Sequence, residues 1–168
     1  MTIKGAEVVK FLEGKATDHK GRFLHDYIDY SDERLEKSHD IIQWMFPLHE
    51  GSDHASDYPI LSPDVVEDLP QEARENILDC LARIKRFFGL GNDFNDVDKQ
   101  RRWCRNHNHN LLRVTRIIRS MRLLGFPREA GEFYDEVLAA AIRFGISESS
   151  LDYWAKAMKG HVWETMKD

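Results

Sequence analysis

The clearest periodic pattern of apolar positions runs from His107 to Phe126, HNHNLLRVTRIIRSMRLLGF. On a helical wheel starting at His109, one arc collects Asn110, Leu111, Val114, Ile117, Ile118, Met121 and Leu124. Their i, i+3, i+4, i+7 spacing predicts an amphipathic helix with a buried face. A polar strip of His109, Arg113, Arg116 and Ser120 borders that face at three- and four-residue intervals, so its side chains share one surface. Gly125 reads as a left-handed cap, and Phe126-Pro127 turns the chain.

Similar patterns place the other elements. Val8, Val9, Phe11 and Leu12 predict a short helix over Ala6–Leu12. The aromatic stretch Phe23–Tyr30 is a connector with no clear period. Ser31 is a suitable N-cap, with Asp32 and Glu33 in the first turn, for a helix running to about Met45, where Pro47 ends it. His49–Leu61 contains Gly51, Pro59, two Ser and two Asp, and reads as an irregular loop. Ser62-Pro63 opens a short helix to Leu69. Gln71–Phe88 is helical through Ile77, Leu78, Leu81, Ile84 and Phe88, with Gly89 as its stop.

Gly91–Asp98 is turn-rich, and Lys99–Arg105 is a short basic turn carrying Trp103. Pro127 starts a helix whose buried face is Phe133, Tyr134, Val137, Leu138, Ala141 and Phe144, with Gly145 as cap. Ser147 caps a last helix containing Leu151, Trp154, Ala155 and Met158, and Gly160 breaks it. No stretch alternates in the manner of a strand. The expectation is an all-α fold, a single-domain bundle over residues 1–168 with about six or seven helices around a central helix at 107–125.

Composition narrows the class. With 168 residues and 42% hydrophobic positions, the chain can build one substantial core. It has no apolar run near the membrane-spanning length and no secretory pattern at its start, so a cytoplasmic protein without membrane insertion is expected. Cys80 and Cys104 stand apart, outside any Cys-x-x-Cys pair, and read as reduced packing thiols. From Lys99 to Arg128 there are nine basic residues and no acid, so with a net charge of −5 the rest of the chain carries −14. Such a split fits an anionic partner or two oppositely charged parts of one fold.

The segment Leu35–Pro47 reads Leu-Glu-x-x-His-x-x-Ile-Gln-Trp-x-Phe-Pro. As a continuous helix it would set Glu36, His39 and Gln43 along the border of a core face, where half-buried polar groups need partners. This segment, with His-x-His-Asn-x-Leu-Arg-x-Thr-Arg-Ile at His107–Ile117 and Ser120 followed by Leu124-Gly125-Phe126, resembles the conserved region of opioid growth factor receptors. The resemblance covers about residues 20–158. It departs from the family pattern at Met45, where the pattern has Leu, and at Arg122, where it has Gly on the expected solvated face. It implies an α-helical domain and, by the family's name, an enkephalin-peptide receptor, with no motif assigned to ligand contact.

The residues themselves leave several readings open. Glu36 paired with Arg113 or Arg116, completed by His39, Gln43 and Asn110, would be a structural ion-pair network. The same groups could instead form a binding site at the junction of the Ser31–Met45 and His109–Leu124 helices. There Arg113 and Arg116 would hold a peptide or small anion, beside His109 and Asn110, with Trp44 or Trp103 as a wall. A protein partner fits this reading as well. An enzyme would use His39 as general acid or base, Glu36 to orient it and Arg113 to stabilise charge.

Nucleic-acid binding through segment 99–122, with Trp103 stacking on a base, is a weaker alternative given a pI near 5.9. No metal site is expected, because His107 and His109 diverge unless the helix starts after them and lack further ligands. No cofactor is expected, for want of a Gly-rich phosphate loop or a comparable motif.

Overall fold

The computed structural model describes residues 3–50, 59–91 and 95–163. The elements in order are β1 (Ile3–Lys4), α1 (Ala6–Leu12), α2 (Leu24–Asp29), α3 (Asp32–Lys37), α4 (Ile41–Met45), β2 (Pro59–Ile60), α5 (Pro63–Glu67), α6 (Gln71–Phe87), α7 (Val97–Trp103), α8 (Asn110–Leu123), α9 (Pro127–Phe144) and α10 (Glu148–Met158). The fold is all-α. Among the described residues no helix is long and apolar enough to cross a membrane. The chain divides into two compact units, Met1–Arg83 and Ile84–Asp168, the division falling inside α6.

Among the described residues there are ten helices rather than the six or seven expected, for local reasons. The aromatic connector contains α2, because the Asp26 carboxylate accepts the Phe23 N–H at 2.7 Å and nucleates the first turn. The helix expected over 31–45 is two helices. Ser31 Oγ accepts the Arg34 N–H at 3.2 Å, as an N-cap should, but α3 stops at Lys37. Ser38 leaves helical geometry at φ −90°, ψ 89°, and Asp40 precedes α4. Short polar residues such as these readily trade helical backbone for other hydrogen bonds.

Two two-residue strands, too short to show alternation, pair in parallel, Ile3 with Pro59 and Lys4 with Ile60. Part of the expected His49–Leu61 loop is therefore strand, and residues 51–58 of it lie outside the described residues, as do 92–94 of the expected Gly91–Asp98 linker.

In the first unit Val8, Phe11, Leu12, Leu24, Tyr27, Leu35, Trp44 and Ile77 are buried. Phe11 meets Tyr27 and Trp44 at ring-centroid distances of 5.8 and 4.9 Å. Each such side chain contributes about 1.5–3 kcal/mol of burial free energy. Asn76 of α6 donates to the Leu12 carbonyl at 2.9 Å and closes the end of α1. On α6, Leu78 is exposed, contrary to expectation, and Cys80 occupies the buried position.

In the second unit α8 packs against both α9 and α10. Val114, Ile117, Ile118 and Met121 of α8 are fully buried, with Phe133 and Val137 of α9 and Trp154 of α10. Trp154 Nε1 donates to the Leu111 carbonyl at 3.0 Å. Pro127 opens α9 and Gly145, at φ 69°, caps it in the left-handed conformation. Lys85 in the last turn of α6 pairs with Glu136 of α9 at 2.7 Å, and Arg143 of α9 donates to Gln100 of α7 at 2.6 Å.

Candidate functional site

Of the residues singled out in the sequence, Glu36, His39, Gln43 and Trp44 belong to the first unit. His109, Asn110, Arg113 and Arg116 belong to the second. The break after Lys37 removes the shared arc expected of Glu36, His39 and Gln43. Glu36 is half-buried on α3, His39 is exposed in the break, and Gln43 is buried on α4. The Gln43 carboxamide, with its nitrogen toward the break, donates to the Asp40 and His39 carbonyls at 2.8 and 3.0 Å. Gln43 thereby satisfies backbone acceptors that the interrupted helix leaves open. Trp44 is 1% exposed; it meets Phe11 edge-on, and His19 stacks on it at 5.8 Å.

The polar centre of this unit is one that sequence reasoning missed. Asp18 has a fully buried carboxylate. It accepts the Tyr27 hydroxyl, the Arg22 Nε–H at 2.7 Å, and the Lys20 and Arg22 backbone N–H groups at 2.8 and 2.9 Å. Burial alone would raise its pKa, yet these donors together hold it below the usual carboxylate range. Burial, and then the bond to Asp18, push the Tyr27 phenol well above its usual range.

Arg22 reaches on to Asp40, Nη2 to Oδ2 at 2.9 Å, where Lys20 Nζ at 2.9 Å and His19 Nε2 at 3.3 Å also converge. Burial opposes the charged form of Asp40, but Arg22 and Lys20 outweigh it and hold the carboxyl at about 2. Arg83 adds a buried guanidinium, donating to the Ile28 and Tyr30 carbonyls at 3.2 and 2.7 Å and to Asp32 at 2.9 Å. The i, i+4 pair Asp18 and Arg22 was the available sequence signal; Arg83 gave none, since its partners lie some fifty residues away.

In the second unit His109 sits at the N-cap position of α8 and is half-buried. Asn110 is fully buried; its carboxamide oxygen accepts from Arg113 Nη1 at 3.3 Å, and its nitrogen lies 3.5 Å from His109 Nε2. Arg113 is 7% exposed, and Arg116, one turn on, is half-buried. The helical spacing thus brings His109, Asn110 and Arg113 into one hydrogen-bonded row.

Other expectations change. Trp103 is 2% exposed and donates to the Phe88 carbonyl at 2.9 Å, so it can neither wall an open site nor stack on a base. Arg122 is half-buried rather than free on a solvated face. It donates to the Ala157, Lys159 and Gly160 carbonyls at 2.8, 3.0 and 3.0 Å, clamping the end of α10. Burial raises the thiol pKa of Cys80 and takes Cys104 up to about 11, so neither is a thiolate at neutral pH.

The family model described as "Opioid growth factor receptor (OGFr) conserved region" matches residues 16–163. The chain belongs to the opioid growth factor receptor conserved-region family. It is 29% identical over 157 residues to the Homo sapiens opioid growth factor receptor, covering 83% of this chain and 23% of that protein. It is also 29% identical over 140 residues to the Xenopus tropicalis opioid growth factor receptor-like protein 1, covering 76% of this chain and 27% of the relative. With the Mus musculus opioid growth factor receptor it shares 27% over 142 residues, 74% and 22% of the two chains. The chain thus spans about a quarter of the length of these relatives. No solved structure matches it. Both family motifs lie within the match, one across the α3–α4 break and the other along the start of α8.

Proposed function

We propose that this chain is a ligand-binding domain of the receptor type, recognising a peptide or small anion along the α8 row of His109, Arg113 and Arg116. The observation that carries the reading is family membership over residues 16–163, joined to a motif whose polar residues are held ready on one helix. The relatives are named receptors of an opioid growth factor. By analogy the ligand here is a short peptide whose terminal carboxylate is drawn to the neighbouring guanidiniums of Arg113 and Arg116. The acid-free run from Lys99 to Arg128 favours an anionic group over a cationic one. Two buried free cysteines support a reducing, cytoplasmic setting.

Calorimetric titration of an enkephalin pentapeptide, as the free acid and as the C-terminal amide, tests the reading. The acid should bind and the amide about fivefold more weakly, the effect of losing one ion pair of roughly 1 kcal/mol. Arg116→Gln should erase the difference between the two. Equal binding of acid and amide rejects the carboxylate contact, and binding of neither rejects the peptide ligand.

A further inference from the structure

The outer side of α9, which lies within the second unit, carries a charge pattern that the peptide reading does not use. Asp135, Ala139 and Arg143 recur at four-residue spacing and are exposed, as is Ile142 beside them. Ile142 is 70% exposed, the most of any large apolar side chain among the described residues. Residues four apart share a helix face, and eight residues rise about 12 Å. The face is therefore a short strip with an acid at one end, a base at the other and a small residue midway.

Such a strip is complementary to itself when reversed. Neither Asp135 nor Arg143 has an opposite charge three or four residues away, so α9 does not neutralise either by itself. Arg143 Nη1 donates to the Gln100 carboxamide at 2.6 Å, which fixes the guanidinium and leaves its charge intact. A two-fold axis at Ala139 sets Asp135 of one copy opposite Arg143 of the other, and the reverse, giving two ion pairs in one contact. Like charges then stand two turns apart. Ala139 at the axis lets the helices approach closely, and each Ile142 is covered by the second helix.

We propose that the chain pairs with a second copy of itself, α9 against α9 in antiparallel register about Ala139. Exposed apolar surface alone would not name its occupant. The order of charge does, because the same strip run backwards meets it acid to base. The contact covers about two helical turns and falls below a standard-size interface, so a Kd of about 10–100 µM that weakens with salt is expected. The inference is independent of the peptide reading, which rests on His109, Arg113 and Arg116.

The test is analytical ultracentrifugation of the full chain over a concentration series spanning that Kd. A reversible monomer–dimer equilibrium is expected. Ile142→Glu should weaken it about tenfold or more, by burying a charge in the seam. Asp135→Arg and Arg143→Asp each set like charges opposite one another and should each weaken pairing about tenfold. An equimolar mixture of these two variants re-forms both ion pairs and should associate as the wild type does. Leu112→Glu, at an exposed position of α8, should leave association unchanged. A wild-type chain that stays monomeric, a dimer indifferent to Ile142→Glu, or a mixture that pairs no better than its components would overturn the contact. If circular dichroism shows that Arg143→Asp has lost its fold along with the Gln100 bond, Asp135→Arg and Ile142→Glu still decide: weakening in both supports the contact, and wild-type association in either rejects it.

Discussion

Individual side chains set how the stability of the first unit should respond to pH. Asp40 lies in the break between α3 and α4 and receives Arg22 and Lys20, so its carboxyl stays charged down to about 2. A carboxyl whose folded pKa is depressed stabilises the fold fully above its unfolded value near 4 and loses that stabilisation as pH falls through the folded value. Asp18 is shifted in the same direction and adds to the same window. Stability should therefore hold from neutral pH to about pH 4 and fall between pH 4 and 2. Asp40→Asn should cost about 2 kcal/mol at pH 7, the scale of hydrogen bonds to a charged group, and flatten the acid limb. Urea unfolding at a series of pH values checks this; parallel wild-type and variant profiles would refute it.

Hydrogen bonds at helix ends add to the packing of helix faces in holding elements together. The carbonyls past the end of α6 illustrate this: Trp103 donates to Phe88 at 2.9 Å, while Gln100 and the Asp96 N–H both donate to Gly89 at 3.0 Å. Three donors from α7 and its cap thus satisfy acceptors that a helix terminus leaves open. Gly89 makes the turn at φ 71°, and a Cβ there would run into the Asp96 carbonyl and come within 2.8 Å of Lys99 Cβ. Gly89→Ala should cost roughly 2–5 kcal/mol, combining left-handed strain with overpacking. Thermal or urea unfolding measures it, and a loss under about 1 kcal/mol, the ordinary effect of a surface change, would contradict the turn's role.

At the scale of the whole molecule, the question is what the charge division does. Several basic residues from Lys99 to Arg128 find partners within the chain, most of them at the surface. Lys99 donates to the Arg86 carbonyl, Arg101 pairs with Asp98, Arg105 donates to the Arg101 carbonyl, Arg122 clamps α10, and Arg128 pairs with Glu132. With Trp103 buried, the aromatic that would stack on a base is not presented there. Nucleic-acid binding should accordingly be weak and salt-sensitive. A filter-binding series decides the matter: sub-micromolar affinity surviving about 0.2 M salt would make nucleic acid the leading partner.

The sequence by itself determined the helical class and the limits of the later helices. Pro127, Gly145 and Ser147 bound α9 and α10 as their local chemistry requires, and the buried arc of α8 follows its 3.6-residue period. Caps and periodicity act over a few residues, so they are visible in one dimension. The polar strip that carries His109 and Arg113 was legible for the same reason, and the placing of Asn110 between them was not. Tertiary structure decided what depends on distant partners. The run Ser31–Met45 breaks at Ser38, where Asp40 is drawn to Arg22, eighteen residues earlier. Arg122 looked solvent-facing on the wheel but turns to carbonyls some 35–38 residues later. A buried cation or carboxylate goes wherever its charge is best satisfied, and that address is written in the packing of other elements rather than in its neighbours along the chain.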